Sequence, residues 1–169
     1  MRSFRSAIAV GCDLIECDVH LSSDGRLVVI HDHTLERTTN GKGMVRDHTA
    51  AELRRLDAGK GERIPLLQEV VELALGKVGL VIETKQMPIQ YPGLEDKLVA
   101  MLRQLGAVEE CAVVSFYHPS IKLLREMEPR LQLGVLEGAR PMSRNGYKVQ
   151  VAKTAVKRAI LQAGGIRTV

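Results

Sequence analysis

Short runs of consecutive apolar residues alternate with helical patterns along most of this 169-residue chain. A strand that is buried on both faces has a continuous apolar sequence, as in a parallel sheet covered by helices. Five such runs occur, at Asp13–Val19, Leu27–Ile30, Val78–Ile82, Ala112–Phe116 and Leu131–Leu136. The alternation therefore predicts an α/β fold with a parallel sheet.

Helix signals lie between most of these runs. Thr49-Ala-Ala-Glu52 is a capping-box pattern, Pro65 precedes a second helical pattern, a third lies between Gly93 and Gly106, and Pro119 begins a fourth. The first two runs are an exception, because Ser22-Ser-Asp-Gly25 places a tight-turn signal where a helix is expected.

The charge of the chain is concentrated in its tail. Of 24 basic residues, six lie in residues 142–169, which leaves 18 basic residues and all 20 acidic ones in residues 1–141. We therefore divide the chain into a domain over 1–141 and a basic tail over 142–169 that carries one predicted helix. A basic tail and an aromatic content of 3% do not favour nucleic-acid binding, which needs a basic face or stacking platforms.

The cysteines and the apolar runs indicate a protein of the cytoplasm. The three cysteines have no zinc-site or disulfide-framework spacing, so reduced thiols are expected. No run approaches the roughly 18 apolar residues of a membrane span, and the N-terminus lacks a signal-peptide pattern. We expect no stable membrane insertion.

Three carboxylates lie at the ends of predicted strands. Glu16 and Asp18 are two residues apart, so their side chains point to one face, and Glu83 follows the apolar run of another strand. Clustered carboxylates repel one another unless a cation lies between them, and oxygen ligands suit Mg²⁺, Ca²⁺ or Mn²⁺ better than Zn²⁺. The structural alternative is that the carboxylates are solvated at the end of an edge strand.

Two further residues are candidates for the same site. His31 directly follows Leu27–Ile30, where a histidine is suited to general acid or base work, although backbone groups can also satisfy such a histidine. Lys85 lies two residues beyond Glu83 and can hold an anion, unless it is an ordinary surface lysine. We predict that His20 and His48 lie at the surface, whereas His33 and His118 are weaker candidates near the site.

Six motifs occur in order along the chain and resemble the glycerophosphodiester phosphodiesterase family. The motifs are Asp13-Leu-Ile-Glu-Cys-Asp-Val19, Ser23-Asp-Gly25, Val28-Val-Ile-His-Asp32, Leu35-Glu-Arg-Thr-Thr-Asn-Gly41, Ile64-Pro-Leu-Leu67 and Ile82-Glu-Thr-Lys85, and Ser115-Phe116 matches a further strand end. The resemblance runs from about Ala7 to Pro141.

This resemblance implies a TIM-type (β/α) barrel that hydrolyses a glycerophosphodiester to glycerol 3-phosphate and an alcohol. It implies divalent-metal ligation by Glu16, Asp18 and Glu83, an acid/base role for His31 and a substrate-phosphate contact for Lys85. The family's first strand, which carries His-Arg-Gly, and its last strands are not recognisable here. We therefore expect an incomplete barrel containing roughly strands two to six of eight.

Two functions remain open at this point. The chain is either a metal-dependent phosphodiesterase acting on a small glycerophosphodiester, with weak activity because one catalytic histidine is absent, or a truncated, non-catalytic module that binds metal or phosphate. An open barrel exposes strand edges, so self-association is also expected.

Overall fold

The computed structural model describes residues 1–138, which form one five-stranded sheet with helices packed on it. The strands are β1 (Leu14–Leu21), β2 (Leu27–Val29), β3 (Gly79–Thr84), β4 (Cys111–Ser115) and β5 (Gln132–Val135). Their order across the sheet is β2-β1-β3-β4-β5. β1, β3, β4 and β5 run parallel, which confirms the predicted α/β class with a mainly parallel sheet.

β2 differs from the expectation of five successive barrel strands. It pairs antiparallel with β1, in the register Val19 with Val29 and Leu21 with Leu27, so four strands and not five run parallel. The cause is the tight turn at residues 22–25, where Gly25 has a φ of 73° and its N–H donates to Ser22 O. A connection this short can join only antiparallel strands.

The helices begin and end close to the predicted signals. They are α1 (Arg2–Ala9), α2 (Ala50–Leu53), α3 (Leu67–Ala74), α4 (Leu94–Gln104) and α5 (His118–Met127). Thr49 forms the predicted capping box with Glu52 at the start of α2. Gly106, with a φ of 66°, follows the end of α4. The predicted tail helix lies outside the described residues.

The two faces of the sheet have different environments. The outer face packs on α3, α4 and α5 through a large core that includes Ile15, Ile82, Val113, Leu98 and Leu124. The inner face, which would line a barrel, carries a small apolar cluster of Val81, Ala112, Val114 and Leu136. The inner face of the sheet, which also carries Glu16, Asp18 and Glu83, is therefore open.

The segment between β2 and α3 has a small core of its own. Val28, Ile30, Leu35, Val45 and Leu53 are buried together with Ala50 and Ile64. A short 3₁₀ turn at Val45–Asp47 and the helix α2 lie within this segment. This small core supports the chain on both sides of His31. Within residues 1–138, no helix is long and apolar enough to cross a membrane.

Candidate active site

The three candidate carboxylates lie close together on two neighbouring parallel strands. β1 carries Glu16 and Asp18, and β3 carries Glu83, which is in direct register with Asp18. One carboxylate oxygen from each of the three residues lies within 4.8 Å of the others. The spacing of two residues on β1 and the register with β3 together account for this convergence.

Lys85 is bound to two of these carboxylates. Its Nζ donates to Asp18 Oδ1 at 2.8 Å and to Glu83 Oε1 at 2.6 Å. Burial lowers the pKa of Lys85, but these hydrogen bonds and the two negative charges more than offset burial, so the pKa lies above its usual value. The side chain is only 13% exposed, so it is not an ordinary surface lysine.

Glu16 has no such partner among the described residues, and its pKa reflects this. Partial loss of water around the carboxyl, followed by the negative charges of Asp18 and Glu83, raises the pKa of Glu16 to about 7. The residue as a whole is exposed at the open inner face. A cation beside Glu16 would favour its charged form.

His31 lies just beyond β2 and is held by a carboxylate and an arginine that we did not single out from the sequence. His31 Nδ1 lies 2.6 Å from Asp32 Oδ1, and Arg37 donates to both oxygens of Asp32. The Arg37 guanidinium and then His31 hold the pKa of Asp32 well below its usual range. Because ionised Asp32 can only accept hydrogen bonds, His31 Nδ1 is the donor.

The candidate side chains surround one cavity at the carboxyl end of the parallel strands. The cavity has a volume of about 420 Å³ and is lined by Glu16, Asp18, His31 and Glu83. Its apolar lining consists of Leu14, Ile15, Val81, Val114, Phe116 and Leu136. Lys85 reaches the same place through its bonds to Asp18 and Glu83. The structure thus brings together all five residues predicted from the sequence.

Comparison with known proteins identifies the family. The model of the glycerophosphoryl diester phosphodiesterase family matches residues 1–164 of this chain. The chain belongs to this family. It is 45% identical over 142 residues to the glycerophosphodiester phosphodiesterase of Caldanaerobacter subterraneus subsp. tengcongensis, covering 79% of this chain and 58% of the relative. It is 41% identical over 145 residues to that of Bacillus altitudinis, covering 80% and 59%.

Solved structures of glycerophosphodiester phosphodiesterases show the same fold. The enzyme from Agrobacterium tumefaciens str. C58 aligns with a TM-score of 0.70 at 36% identity, over 78% of this chain and 57% of that structure. A phosphodiesterase from Oleispira antarctica, in complex with the product sn-glycerol-3-phosphate, aligns with a TM-score of 0.72 at 30% identity, over 84% and 61%. The chain thus spans less than two thirds of these relatives, and its open sheet is consistent with an incomplete barrel.

The candidate site has the chemistry that a hard divalent cation requires. Three carboxylates supply oxygen ligands within reach of one ion. Within residues 1–138, Lys85 forms ion pairs with Asp18 and Glu83 but not with Glu16. Both observations fit a cation bound beside Glu16, Asp18 and Glu83.

The prediction that His20 lies at the surface is wrong. His20 is fully buried, because it is on the side of β1 that meets the loop before α4, where Tyr91 Oη lies 2.9 Å from its Nδ1. Val19 and His20 are consecutive buried residues, so the alternation of buried and exposed positions along β1 breaks at His20 and gives no sequence signal for its burial.

The other histidines within residues 1–138 lie outside the cavity lining. His48 is half-buried, and its Nε2 lies 3.1 Å from Lys42 O. His33 contacts Tyr91 and Met87, and His118 Nε2 lies 3.2 Å from Leu136 O at the end of β5. Of the five histidines within residues 1–138, His31 alone lines the cavity.

Proposed function

We propose that this chain hydrolyses glycerophosphodiesters to glycerol 3-phosphate and an alcohol, with Glu16, Asp18 and Glu83 as ligands of a Mg²⁺ or Ca²⁺ ion. His31 is the acid/base group, and Lys85 contacts the substrate phosphate. The observation that carries this proposal is the convergence of four of these side chains on one cavity, with Lys85 bound to two of them. Family membership and the product bound to the Oleispira antarctica relative support it.

The hydrogen bonds of His31 suit it to move a proton at one defined atom. Its Nδ1–H is held by Asp32, and Arg37 keeps Asp32 ionised. The second ring nitrogen, Nε2, is then free to take up or release a proton, which is the arrangement that oriented catalytic histidines share. His31 thereby serves the attacking water or the leaving alcohol oxygen.

The positive charge in the site balances the charge of a phosphodiester. A bound cation would polarise the phosphoryl group and offset its negative charge. Lys85 supplies a further positive charge on the same side of the sheet, held in place by Asp18 and Glu83. The apolar lining around Val114 and Phe116 excludes part of the water and strengthens these interactions.

The test is release of glycerol 3-phosphate from glycerophosphocholine by the purified chain. We expect release with Mg²⁺ or Ca²⁺, loss of release with a chelator, and a decrease of about 10²–10⁴-fold for His31→Gln. His48→Gln is the matched control and should retain activity. Absence of release from folded protein, or full activity of both Glu16→Ala and His31→Gln, would contradict the proposal.

A second candidate is a module that binds cation and phosphate without hydrolysis. It is favoured by the single histidine at the cavity within residues 1–138, because phosphoryl hydrolysis benefits from both an acid and a base. Calorimetry distinguishes the two functions. Binding of glycerol 3-phosphate in the presence of Ca²⁺, with no release from glycerophosphocholine, is the result that this alternative predicts.

Two further expectations belong to this proposal. We place the protein in the cytoplasm, a reducing compartment that suits the free thiols of Cys12, Cys17 and Cys111. We also expect self-association through the open sheet, which light scattering on the purified chain would reveal as a mass above 18.6 kDa.

A further inference from the structure

A second cavity lies between the loop that follows β3, the start of α4 and the first turns of α5. It has a volume of about 340 Å³, and its lining shares no residue with that of the candidate active site. Its apolar and aromatic walls consist of Tyr91, Pro92, Tyr117, Pro119 and Leu123. A space of this size and composition is suited to a small ligand.

A buried carboxylate without a basic partner lines this second cavity. Glu95 is 5% exposed, and it forms no ion pair with any residue of 1–138. Glu128, the other buried glutamate in this range, is bound by Arg103 and Arg130. Burial of a negative charge is unfavourable unless a positive charge or hydrogen bonds compensate it. The surroundings of Glu95 therefore favour a cation in the cavity.

Both donors to Glu95 bind the same carboxylate oxygen. Gln86 Nε2 donates to Oε1 at 2.8 Å, and Ser120 Oγ donates to it at 2.5 Å. Oε2 has no partner within residues 1–138. It is not enclosed either, because Thr38 Oγ1 is the one enclosed side-chain polar atom in this range without a partner. A carboxylate accepts hydrogen bonds at both oxygens, so Oε2 is available to a donor in the cavity.

The carboxylate of Glu95 is held in place from two sides without any ligand. Gln86 is fixed by the main chain of Tyr91, since its Oε1 accepts from Tyr91 N at 2.6 Å and its Nε2 donates to Tyr91 O at 3.1 Å. Ser120, on α5, lies 3.4 Å from the hydroxyl of Thr84 on β3. A group that is already ordered loses little conformational entropy when it binds a ligand.

The other polar groups of the second cavity are suited to a primary ammonium group. Tyr117 and Gln90 line the cavity, and neither the Tyr117 hydroxyl nor the Gln90 side-chain amide has a hydrogen-bond partner within residues 1–138. With Glu95 Oε2 they offer three acceptors, which equals the number of N–H donors of a primary ammonium. Aromatic rings also attract cations. A Ca²⁺ ion, in contrast, takes about six to eight oxygen ligands and favours several carboxylates.

We propose that the second cavity binds the primary ammonium group of a small amine, with Glu95 Oε2 as the main acceptor. Tyr117 and Gln90 contribute the remaining acceptors, and the apolar walls pack against the carbon chain of the amine. This site is separate from the candidate active site, and the inference does not depend on hydrolysis of a phosphodiester.

The experiment is an NMR titration of the nitrogen-15-labelled full chain with ethanolamine, in the presence of chelator. We expect saturable shifts of the main-chain amides of Gly93, Glu95 and Tyr117. Ethylene glycol, which lacks the ammonium, should cause no such shifts. Choline, which has no N–H donor, should bind at least about tenfold more weakly. Absence of saturable shifts with ethanolamine, or equal binding of ethylene glycol or choline, would overturn the proposal.

Variants of Glu95 and of the cavity wall locate the bound amine. Glu95→Gln should weaken ethanolamine binding by about 10–100-fold, because a hydrogen bond to a charged group is lost, whereas the neighbouring exposed Asp96→Asn should bind as the wild type does. Unchanged binding by Glu95→Gln would contradict the proposal.

A second pair of variants keeps the test valid if Glu95→Gln does not fold. Leu123 is 42% exposed at the cavity wall, so substitutions there are compatible with folding. Leu123→Lys supplies a tethered ammonium and should abolish ethanolamine binding, whereas the neutral Leu123→Gln should retain it. Wild-type binding by Leu123→Lys would overturn the proposal. Ethanolamine binding by a chain that releases no glycerol 3-phosphate would refute the proposed function and leave this site standing.

Discussion

At the residue scale, Lys85 competes for the carboxylates that are the proposed cation ligands. Its ammonium is bound to Asp18 and Glu83, so a cation entering the site meets both a positive charge and occupied oxygens. We expect Lys85→Met to bind Ca²⁺ at least about tenfold more tightly by calorimetry, since a unit charge about 4 Å away is worth about 4 kcal/mol at an intermediate dielectric. Lys122→Met, on the exposed face of α5, is the control and should bind as the wild type does. Equal or weaker binding by Lys85→Met would contradict this expectation.

Glu16 gives the site a pH dependence that can be measured without any cation. Its pKa rises from about 4.5 to about 7 on folding. Between pH 4.5 and pH 7, the folded state therefore retains a proton that the unfolded state has lost. The free energy of unfolding should therefore fall as pH rises from 4.5 to 7. In urea titrations with chelator, the free energy of unfolding of Glu16→Gln should decrease less between pH 5 and pH 8 than that of the wild type. Glu72→Gln, on the exposed side of α3, should match the wild type. If the free energy of unfolding of Glu16→Gln falls with pH as much as that of the wild type, this would argue against the raised pKa of Glu16.

At the element scale, α4 contributes the outer core that holds the parallel strands in place. Leu98 is fully buried between α4 and the sheet, whereas Leu123 on α5 is 42% exposed. We expect Leu98→Ala to lower the free energy of unfolding by about 2–5 kcal/mol through lost contacts and a cavity. Leu123→Ala should change it by no more than about 0.5 kcal/mol. Chemical denaturation measures both, and equal losses would show that the core has been assigned to the wrong face.

A buried carboxylate ties the ends of two helices together. Glu128 accepts hydrogen bonds from Arg130 and from Arg103 of α4, and these arginines lower the pKa of Glu128 to about 2. A carboxyl with a lowered pKa stabilises the fold above its unfolded value of about 4.5, and this contribution disappears as pH falls towards 2. Glu128→Gln should be less stable than the wild type at pH 7 and should converge with it in acid. Glu126→Gln, which is exposed, should follow the wild type at every pH.

The elements themselves were largely predictable, and the exceptions have physical causes. Continuous apolar runs located the strands, and the capping box located α2, because these patterns depend on local burial and local hydrogen bonds. The burial of His20 was not predictable, because it depends on Tyr91, which is 71 residues away along the chain. The role of Arg37 likewise requires the fold of the loop, which brings its guanidinium to Asp32.

At the scale of the whole molecule, the proposed cation links stability to the site. A ligand that binds only the folded state stabilises it by about 2.7 kcal/mol at one hundred times its Kd, which for a chain of this size raises Tm by about 5–10 °C. We expect such a rise with saturating Ca²⁺ or Mg²⁺ and none with chelator. Asp18→Asn should abolish the rise, whereas Asp96→Asn on the exposed side of α4 should preserve it. An equal rise in both variants would locate the ion elsewhere.

The small core between β2 and α3 separates the two chemical parts of the site. The carboxylates and Lys85 belong to the parallel sheet, whereas His31 and Asp32 are carried by a segment that is buried against Val28, Leu35 and Leu53. Substitutions in that segment can therefore alter the surroundings of His31, the proposed acid/base group, without replacing residues that pack around the carboxylates. The two parts remain connected at the end of β1, where Ile30 N donates to Asp18 O and His20 Nε2 lies 3.2 Å from His31 O.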